Sequence, residues 1–290
     1  MTIKSKITVL LTTCDRYDTT LPLCLMSIFN QSHPPDRVVL VDDSKQKKLY
    51  DYQILKNMLI LFRGKDIEFD YYHGACKGAV PALQIGLDKI EDGWVFKIDD
   101  DNILSCDTLE LFNNNIQDNI GAMSGIIIDK YLYSFYERNP DKASKEENGY
   151  YNRIENIYSE INIQMMHEQS DEIKKVEHIY SNYFFKRDLA DDYPLELSPS
   201  ARREDTVFTH TIFRKGYDLI IIPQIKIYHL SDGLRSGDSK WLSTDRKKNE
   251  LFFIEKLKEW GVVPDKIRIF DDGVKRYVTK NGINYSVLNA

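Results

Sequence analysis

The sequence lacks several patterns by which common protein classes are recognised. Its four cysteines, Cys14, Cys24, Cys76 and Cys106, show no C-x-x-C spacing, which argues against a zinc knuckle and against a disulfide framework. It contains no apolar run of about 20 residues that could span a bilayer, and the apolar run that follows MTIKSK is too short for a signal peptide. We therefore expect a cytoplasmic protein that can be peripheral to a membrane but does not cross it.

Two phosphate-binding motifs and an excess of positive charge are also missing. No G-x-G-x-x-G follows the first apolar run, and G-x-x-x-x-G-K-[ST] does not occur, so the dinucleotide and P-loop interpretations lose their main support. The 39 basic and 45 acidic residues give a formal charge of -6. This balance disfavours a protein that depends mainly on contacts with a nucleic-acid backbone.

Apolar runs alternate with helical periodicities along the first half of the chain. Five runs predict strands, at 6–12, 37–41, 67–72, 94–98 and 120–128. The first two are continuously apolar and rich in β-branched residues, which is typical of strands buried on both faces of a parallel sheet. The alternation predicts an α/β fold with a doubly wound, mostly parallel sheet and helices on both faces. A chain of 290 residues can form one large domain of this kind.

A polar segment interrupts this pattern. Residues 134–175 are rich in Glu, Lys, Asn and Tyr and lack the apolar content of a separate core, so we interpret them as an inserted or lid-like segment. We expect the main domain to cover 1–235. Because 246–260 has the pattern of an amphipathic helix, we expect a C-terminal helical extension over 236–290.

Polar residues follow three of the predicted strands at their carboxyl ends, where ligands bind in a doubly wound sheet. The first strand ends at residues 12–16, the second at Asp42-Asp43-Ser44, and the fourth at residues 99–102, Asp-Asp-Asp-Asn. Clustered carboxylates suit a hard divalent cation, which can stabilise the diphosphate that leaves a nucleotide-sugar. Taken alone, each Asp run is also compatible with an ordinary turn or helix cap.

Five stretches of the sequence resemble the successive blocks of the family 2 glycosyltransferases. They occur in order between residues 6 and 229: ITVLLTTCDR, SIFNQSHPPDRVVLVDDS, KGAVPALQIGL, VFKIDDDNILSCDTLE and REDTVFTHTIFRKGY. The resemblance implies the GT-A fold and a nucleotide-sugar donor. It further implies a divalent cation, Mn²⁺ or Mg²⁺, and transfer of the sugar to an acceptor hydroxyl with inversion of the anomeric centre.

The resemblance also implies roles for individual residues. Asp101 matches the metal ligand of the Asp-x-Asp (DXD) motif, and Asp205 matches the catalytic base. His229, after short predicted strands at 219–222 and 225–228, stands where GT-A enzymes place a further metal or diphosphate contact. The residues assigned to donor binding are Thr12, Asp15, Arg16, Asp43, Asp99, Asp100, Glu204 and, in a Gly-flanked loop, Arg235.

The sequence departs from the family pattern at two positions, and two matched residues keep a plainer interpretation. Asp15 precedes Arg16 where Asn is frequent, and Gln84 replaces the usual Asn of its block. Asp205 could instead be the N-cap of a helix, whose N-terminus should keep its carboxylate ionised. His229 could be a packing residue.

The sequence therefore predicts a metal-dependent, inverting glycosyltransferase, with a UDP-sugar favoured as donor and a glycan as acceptor. One alternative changes the acceptor to a protein or to a hydroxymethylated DNA base, since Tyr150, Tyr151, Lys174 and Lys175 could form a local groove. Another is a catalytically silent module that binds sugar nucleotides. A nucleotidyltransferase lacks support because its Gly-rich phosphate loop is missing.

Overall fold

The structure is a computed structural model, and it describes most of the chain. The described residues are 5–46, 48–74, 76–129, 152–157, 164, 172–197, 203–230, 244–263, 266–271, 274–279 and 284–287. Among them, no helix combines the length and the apolar character that crossing a membrane requires.

Strands and helices alternate in the first half of the chain, as the apolar runs predict. The elements of this half are β1 (Ile7–Thr13), α1 (Thr20–Phe29), β2 (Arg37–Asp42), α2 (Gln53–Gly64), β3 (Glu68–His73), α3 (Ala79–Leu87), β4 (Trp94–Asp99), β5 (Asn102–Leu104), α4 (Thr108–Asn114) and β6 (Ile120–Asp129). The second half contains β7 (Lys174–Val176), β8 (Tyr183–Lys186), α5 (Glu204–Arg214), β9 (Asp218–His229), α6 (Thr244–Glu259), β10 (Lys266–Asp271), β11 (Val274–Thr279) and β12 (Asn284–Val287).

Among the described residues, nine strands form the main sheet, in the order β3-β2-β1-β4-β8-β6-β9-β5, with β7 also paired to β9. The first half of the sheet is parallel, because β1 pairs in parallel with β2 and β4, and β2 with β3. In the second half, β6 and β9 are parallel, whereas β8 runs antiparallel to both of its neighbours. The predicted α/β fold with a mostly parallel sheet is confirmed, and its antiparallel strands are concentrated in the second half.

Each face of the sheet is covered by helices, as expected. Strand residues alternate between the faces, so Leu10 packs with Leu83 of α3 in one apolar cluster, and Val9 packs with Leu25 of α1 in the other. The helix α3 lies very close to β1, since a Cβ added to Gly86 would lie 2.3 Å from Leu10 Cδ1. These two buried layers fix the strand ends that carry the polar residues.

The strand β9 is longer than the sequence predicts. We expected two short strands at 219–222 and 225–228, but Asp218–His229 is one strand. Pro223 lacks the N–H that a regular ladder needs, and the pairing with β6 has an irregularity opposite it, between Ser124 and Ile126. The strand continues through this irregularity, and it reaches the sheet edge at His229.

The C-terminal part differs from the expected helical extension over 236–290. Its helix α6 packs on the main domain through the buried residues Phe253 and Leu257. Three strands then form a separate antiparallel sheet in the order β10-β11-β12. β-Branched and aromatic residues make up most of KIRIF and VKRYV, a composition that favours strands over a helix.

The polar segment expected at 134–175 lies mostly outside the described residues. Its described parts attach through side-chain amides: Asn152 Nδ2 donates to Gln164 Oε1 at 2.9 Å, and Gln164 Nε2 donates to Ser124 Oγ of β6 at 3.1 Å. Both amide side chains are buried. The described parts also attach through Ile154, which is buried in the same apolar cluster as Leu10, and through the pairing of β7 with β9. A role as a lid stays a prediction.

Candidate functional site

The carboxyl ends of β1, β2 and β4 lie side by side at one edge of the sheet. The strand register pairs Thr12 with Asp99 and Thr13 with Asp42. The hydroxyl of Thr13 donates to Asp100 Oδ2 at 2.5 Å, whereas Thr12 is half-buried on the opposite side of the strand. The sequence singled out Thr12, but it is the neighbouring threonine that contacts the aspartates.

The three consecutive aspartates Asp99, Asp100 and Asp101 form what we call the carboxylate cluster. Arg16 lies against it: its Nη1 donates to Asp100 Oδ1 at 2.8 Å and to Asp101 Oδ2 at 2.7 Å. Asp15 is exposed with a positive φ of 54°. Of the two adjacent residues predicted to bind the donor, only Arg16 is brought into the cluster.

The pKa values of Asp100 and Asp101 shift in opposite directions because their surroundings differ. Burial raises the pKa of Asp100 to about 7, although the charge of Arg16 opposes the shift. Burial also acts to raise the pKa of Asp101, but the hydrogen bond with His229 and the charge of Arg16 outweigh it and lower that pKa. Asp101 is therefore the better ionised carboxylate of the two, which suits the ligand role predicted for it.

His229 ends β9 directly beside the carboxylate cluster. The register places it between Asn102 of β5 and Asp129 of β6. Its Nδ1 lies 2.5 Å from Asp129 Oδ2, and its Nε2 lies 3.5 Å from Asp101 Oδ2. The contact with Asp101 has the larger effect and, together with the contact with Asp129, raises the pKa of His229 to about 9, although burial acts to lower it. Asp129 was not predicted, although it directly follows the predicted strand at 120–128.

The residues at this point fit a cation that is shared with a substrate. Within the described part of the chain, no group of three or more His, Cys, Asp or Glu side chains is arranged to hold a metal ion. Asp101 and His229 nevertheless supply a carboxylate and an imidazole at the same point, and Asp129 orients the ring from behind, as carboxylates do behind metal-binding histidines. Mg²⁺ in particular is often held by one or two side chains plus substrate phosphates.

A second carboxylate site lies at the end of β2. Asp43 is 7% exposed, and its two oxygens accept hydrogen bonds from the backbone N–H groups of Lys77 at 2.9 Å and Gly78 at 2.8 Å. Burial raises its pKa, and these two bonds oppose the shift. Gly74 closes the site, since an added Cβ would lie 2.7 Å from Asp43 Oδ1. We call these four residues the Asp43 pocket.

Asp205 lies in the first turn of α5 and is 4% exposed. The N-cap position belongs to Arg203, which has a φ of 78°, so the alternative interpretation, in which Asp205 is the N-cap of this helix, is not supported. Its Oδ2 accepts the N–H of Ser181 at 2.6 Å, and its Oδ1 accepts the N–H of Thr206 at 2.6 Å. The carboxylate is therefore held by the backbone of two separate segments.

Burial acts on the pKa values of the adjacent pair Glu204 and Asp205. It raises the pKa of both side chains, and mutual repulsion raises that of Glu204 further. The sequence predicts that the helix N-terminus keeps Asp205 ionised, whereas burial outweighs the hydrogen bonds that favour the charged form and raises the pKa of Asp205. Ser181 connects this pair to the carboxylate cluster, because its Oγ donates to Asp99 Oδ2 at 2.9 Å.

Gln84, one of the two departures from the family pattern, has a clear structural place. Its Oε1 accepts the N–H of Tyr193 at 2.7 Å, and its Nε2 donates to Asp88 at 2.7 Å and to Asp192 at 3.0 Å. The side chain therefore joins α3 to the segment after β8.

Some predicted contacts do not come together in the described structure. Arg235, Tyr150 and Tyr151 lie outside the described residues. Lys174 and Lys175 pair with neighbouring carboxylates at 3.2 Å and 2.7 Å. These ion pairs reduce the positive charge available for a nucleic-acid groove.

Solved structures with the same fold are glycosyltransferases. GalNAc-T7 with UDP, GalNAc and Mn²⁺ superposes with a TM-score of 0.54 at 13% identity, over 79% of this chain and 44% of that one. TarS 1-349 of S. aureus gives 0.53 at 15% identity, over 87% and 65%. The mannosyltransferase PcManGT of Pyrobaculum calidifontis, with GDP-Man and Mn²⁺, gives 0.53 at 17% identity, over 89% and 65%. This chain thus spans less than two thirds of each of these three chains, and identities this low show the GT-A fold alone.

Sequence comparison identifies the family. No protein in the curated set matches this chain. The family model described as Glycosyl transferase family 2 matches residues 8–192, a region that includes the Asp43 pocket and the carboxylate cluster. This match confirms the resemblance seen in the sequence blocks, and the chain therefore belongs to glycosyl transferase family 2.

Proposed function

We propose that the chain is a metal-dependent, inverting glycosyltransferase that moves a sugar from a UDP-sugar to a hydroxyl of a glycan acceptor. One observation carries this proposal. The candidate cation ligands Asp101 and His229 lie at the same sheet edge as Asp205, which Ser181 joins to the carboxylate cluster. The candidate ligands of a cation that would bind the diphosphate, and the candidate base for the acceptor, are thus parts of one connected site.

Asp101 and His229 would hold the cation, which would be Mn²⁺ or Mg²⁺. When bound, it stabilises the negative charge that develops on the departing diphosphate. Arg16 adds a permanent positive charge at the same point, since it contacts both Asp100 and Asp101. The structures of GalNAc-T7 and PcManGT both contain Mn²⁺, which supports the proposal of a divalent cation.

The Asp43 pocket is proposed to read the nucleotide base. An ionised carboxylate only accepts hydrogen bonds, so it favours a base with a ring N–H, as in uracil, thymine and guanine, over cytosine, whose ring nitrogen is itself an acceptor. UDP and UDP-GlcNAc accompany GalNAc-T7 and TarS respectively. PcManGT contains GDP-Man, whose guanine also fits Asp43, so the choice of uracil rests on the two neighbours that contain a uridine nucleotide.

Asp205 is proposed as the general base. As the acceptor oxygen bonds to the anomeric carbon, its proton passes to the carboxylate of Asp205, and the bond from the anomeric carbon to the diphosphate oxygen breaks. The two backbone N–H groups on Asp205 hold the carboxylate in one orientation. Because burial raises its pKa, Asp205 is a stronger base than an exposed aspartate.

A donor panel tests the proposal. The protein is mixed with UDP-glucose, UDP-GlcNAc, GDP-mannose, dTDP-glucose or CMP-sialic acid, with Mn²⁺ or with EDTA, and thermal stability and nucleotide release are measured. A UDP-sugar with Mn²⁺ should stabilise the fold by about 2.7 kcal/mol at 100 times its Kd, and UDP should be released. Stabilisation by the CMP-sugar, or equal stabilisation in EDTA, contradicts the proposal. Binding without any release of nucleotide favours a silent module.

A further inference from the structure

Lys97 is a buried cation in the middle of the sheet. It lies in β4 and is 2% exposed, between the apolar residues Phe96 and Ile98, which are buried in the opposite face. A lysine is almost never buried to this degree unless its charge is paired. The position therefore needs an explanation, because an apolar side chain would fill the same strand position without burying a charge.

The ammonium group of Lys97 makes contacts on the functional side of the sheet. Its Nζ lies 2.6 Å from Asp99 Oδ1 and donates to the carbonyl oxygen of Ser181 at 2.8 Å. Its charge also acts on the two buried carboxylates that begin α5, Glu204 and Asp205. Lys97 thus lies between one aspartate of the carboxylate cluster and the candidate base.

Ser181 connects the same groups through its other polar atoms. Its Oγ donates to Asp99 Oδ2 at 2.9 Å, and its backbone N–H donates to Asp205 Oδ2 at 2.6 Å. Its φ is 65°, a backbone conformation that is uncommon for residues other than glycine and is stabilised only where the surroundings fix it. Asn182 holds the segment from the other side, since its Oδ1 accepts the N–H of Asp99 at 3.1 Å.

We propose that Lys97 and Ser181 are positioning residues that hold Asp99, on the donor side, and the general base Asp205 in a fixed relation to each other. This inference rests on the proposed function, because Asp205 has no base to position in a protein that only binds. Lys97 is too deeply buried to reach solvent, and it acts through the carboxylates that it holds. Ser181 acts through two hydrogen bonds, and the one that its Oγ donates to Asp99 can be removed while the one from its backbone N–H to Asp205 is kept.

Lys97→Met tests the charge, because methionine is apolar, unbranched and similar in length. The variant should lower the kcat of sugar transfer at least tenfold, since general-base catalysis contributes roughly 10²- to 10⁴-fold and depends on position. Lys186→Met is the control for the loss of a lysine charge: Lys186 lies in the neighbouring strand, is more exposed than Lys97, and pairs with Asp188 at 3.3 Å, away from the cluster. A folded Lys97→Met protein with the kcat of the control overturns the inference.

A double-mutant cycle separates positioning from a merely structural role. If Lys97 acts through Asp205, Lys97→Met should change kcat little when Asp205 is already Asn, because the group that it positions is gone. If the two changes multiply in the double variant, Lys97 does not act through the base.

Ser181→Gly tests the hydroxyl and does not depend on the folding of Lys97→Met. Glycine accepts the positive φ and keeps the N–H bond to Asp205, but it loses the bond to Asp99. The KM for the donor should rise several-fold with a smaller change in kcat; unchanged values of both overturn the role of Ser181. The kcat and KM of each variant are compared with those of the wild-type protein, measured with the UDP-sugar from the donor panel. Failure of the proposed function therefore shows in the wild-type protein, whereas failure of this inference shows as variants that equal it.

Discussion

Two carboxylate sites at one edge of the sheet are held in opposite ways. In the Asp43 pocket, both carboxylate oxygens accept hydrogen bonds from the neutral backbone N–H groups of Lys77 and Gly78. In the carboxylate cluster, side-chain cations contact the oxygens, with Arg16 on two aspartates and Lys97 on the third. The first site needs no charged partner, and the second is balanced by charge.

This difference suits the Asp43 pocket to recognition of the donor and the carboxylate cluster to the chemistry of transfer. Backbone donors are fixed by the start of α3, so the Asp43 pocket is formed before any ligand arrives. A side-chain cation can move, so Arg16 can exchange its contact with Asp101 for one with a metal or a phosphate. We expect the pocket to bind the unchanging nucleotide base and the cluster to respond to the charge that develops during transfer.

Asp205 tests the comparison most strongly, because its carboxylate accepts two backbone N–H groups as Asp43 does, yet we assign it chemistry. Asp205→Asn should lower sugar transfer by about 10²- to 10⁴-fold, the usual contribution of a general base. The affinity for UDP in Mn²⁺, measured by calorimetry, should stay within about twofold, because this carboxylate binds the acceptor side. Asp191→Asn, in an exposed ion pair with Lys215, is the control.

The pH dependence of transfer sharpens the same test. The base works only when ionised, and burial raises the pKa of Asp205 above the ordinary 3.8. As the pH falls through this raised pKa, kcat/KM should fall, and this acidic limb should be absent in Asp205→Asn. A folded Asn variant that transfers sugar at close to the parent rate refutes the assignment of Asp205 as the base.

The charge-balanced cluster should depend on metal, and its aspartates should not be equivalent. Asp101→Ala removes a proposed ligand, so the Mn²⁺ concentration for half-maximal UDP binding should rise by at least about 100-fold, beyond the effect of an orienting residue. Asp99→Ala should raise it much less, because Asp99 contacts Lys97 and Ser181. Titration of UDP binding with Mn²⁺ measures both effects. Equal, mild effects, or full activity in excess EDTA, contradict the metal site.

Asp129 should support the metal from behind His229. Asp129→Asn keeps the shape but loses the negative charge on the imidazole, and such changes lower metal affinity by roughly 10- to 100-fold. Manganese binding followed by electron paramagnetic resonance measures this effect. Asp118→Asn is the matched control, because Asp118 is exposed and lies before the other end of the same strand. If the two variants bind Mn²⁺ equally well, His229 does not need Asp129.

The parts of the site that were predicted from sequence lie where local patterns decide the structure. Continuous apolar runs predict β1, β2 and β4, and a strand end places its polar residues at the sheet edge, so Asp43 and the carboxylate cluster could be assigned. Asp129 and Lys97 carried a usable signal: a carboxylate at the end of a strand, and a lysine within an apolar strand. Both were missed.

Other parts depend on contacts that are distant in sequence. His229 reaches Asp101 because β9 pairs with both β5 and β6, and no local pattern predicts such pairing. Ser181 matters through a left-handed backbone conformation, which a serine does not signal. The pKa of Asp205 follows from its burial, which outweighs the helix N-terminus, and burial of a first-turn residue is set by packing.

The smallest expected effect is that of Asp43→Asn on stability and UDP affinity, and it distinguishes the Asp43 pocket from the carboxylate cluster. An asparagine has one acceptor oxygen and a donor NH₂ group, so in either orientation of Asp43→Asn one of the two backbone N–H groups faces a donor. The variant should lose about 1 to 2 kcal/mol of unfolding free energy, because a buried group is left unpaired. Asp92→Asn is the control, since the Asp92 side chain is 75% exposed and its ion pair with Lys6 Nζ is long at 3.5 Å.

Urea denaturation measures the stability of Asp43→Asn, and calorimetry measures its affinity for UDP. Both should fall modestly, whereas the Mn²⁺ concentration for half-maximal binding should stay that of the wild type, because the Asp43 pocket holds no cation. The opposite pattern, with normal stability and a changed Mn²⁺ requirement, shows that Asp43 works with the carboxylate cluster. In that case the edge of the sheet is one charged site, and the division into a neutral recognition pocket and a charge-balanced cluster is wrong.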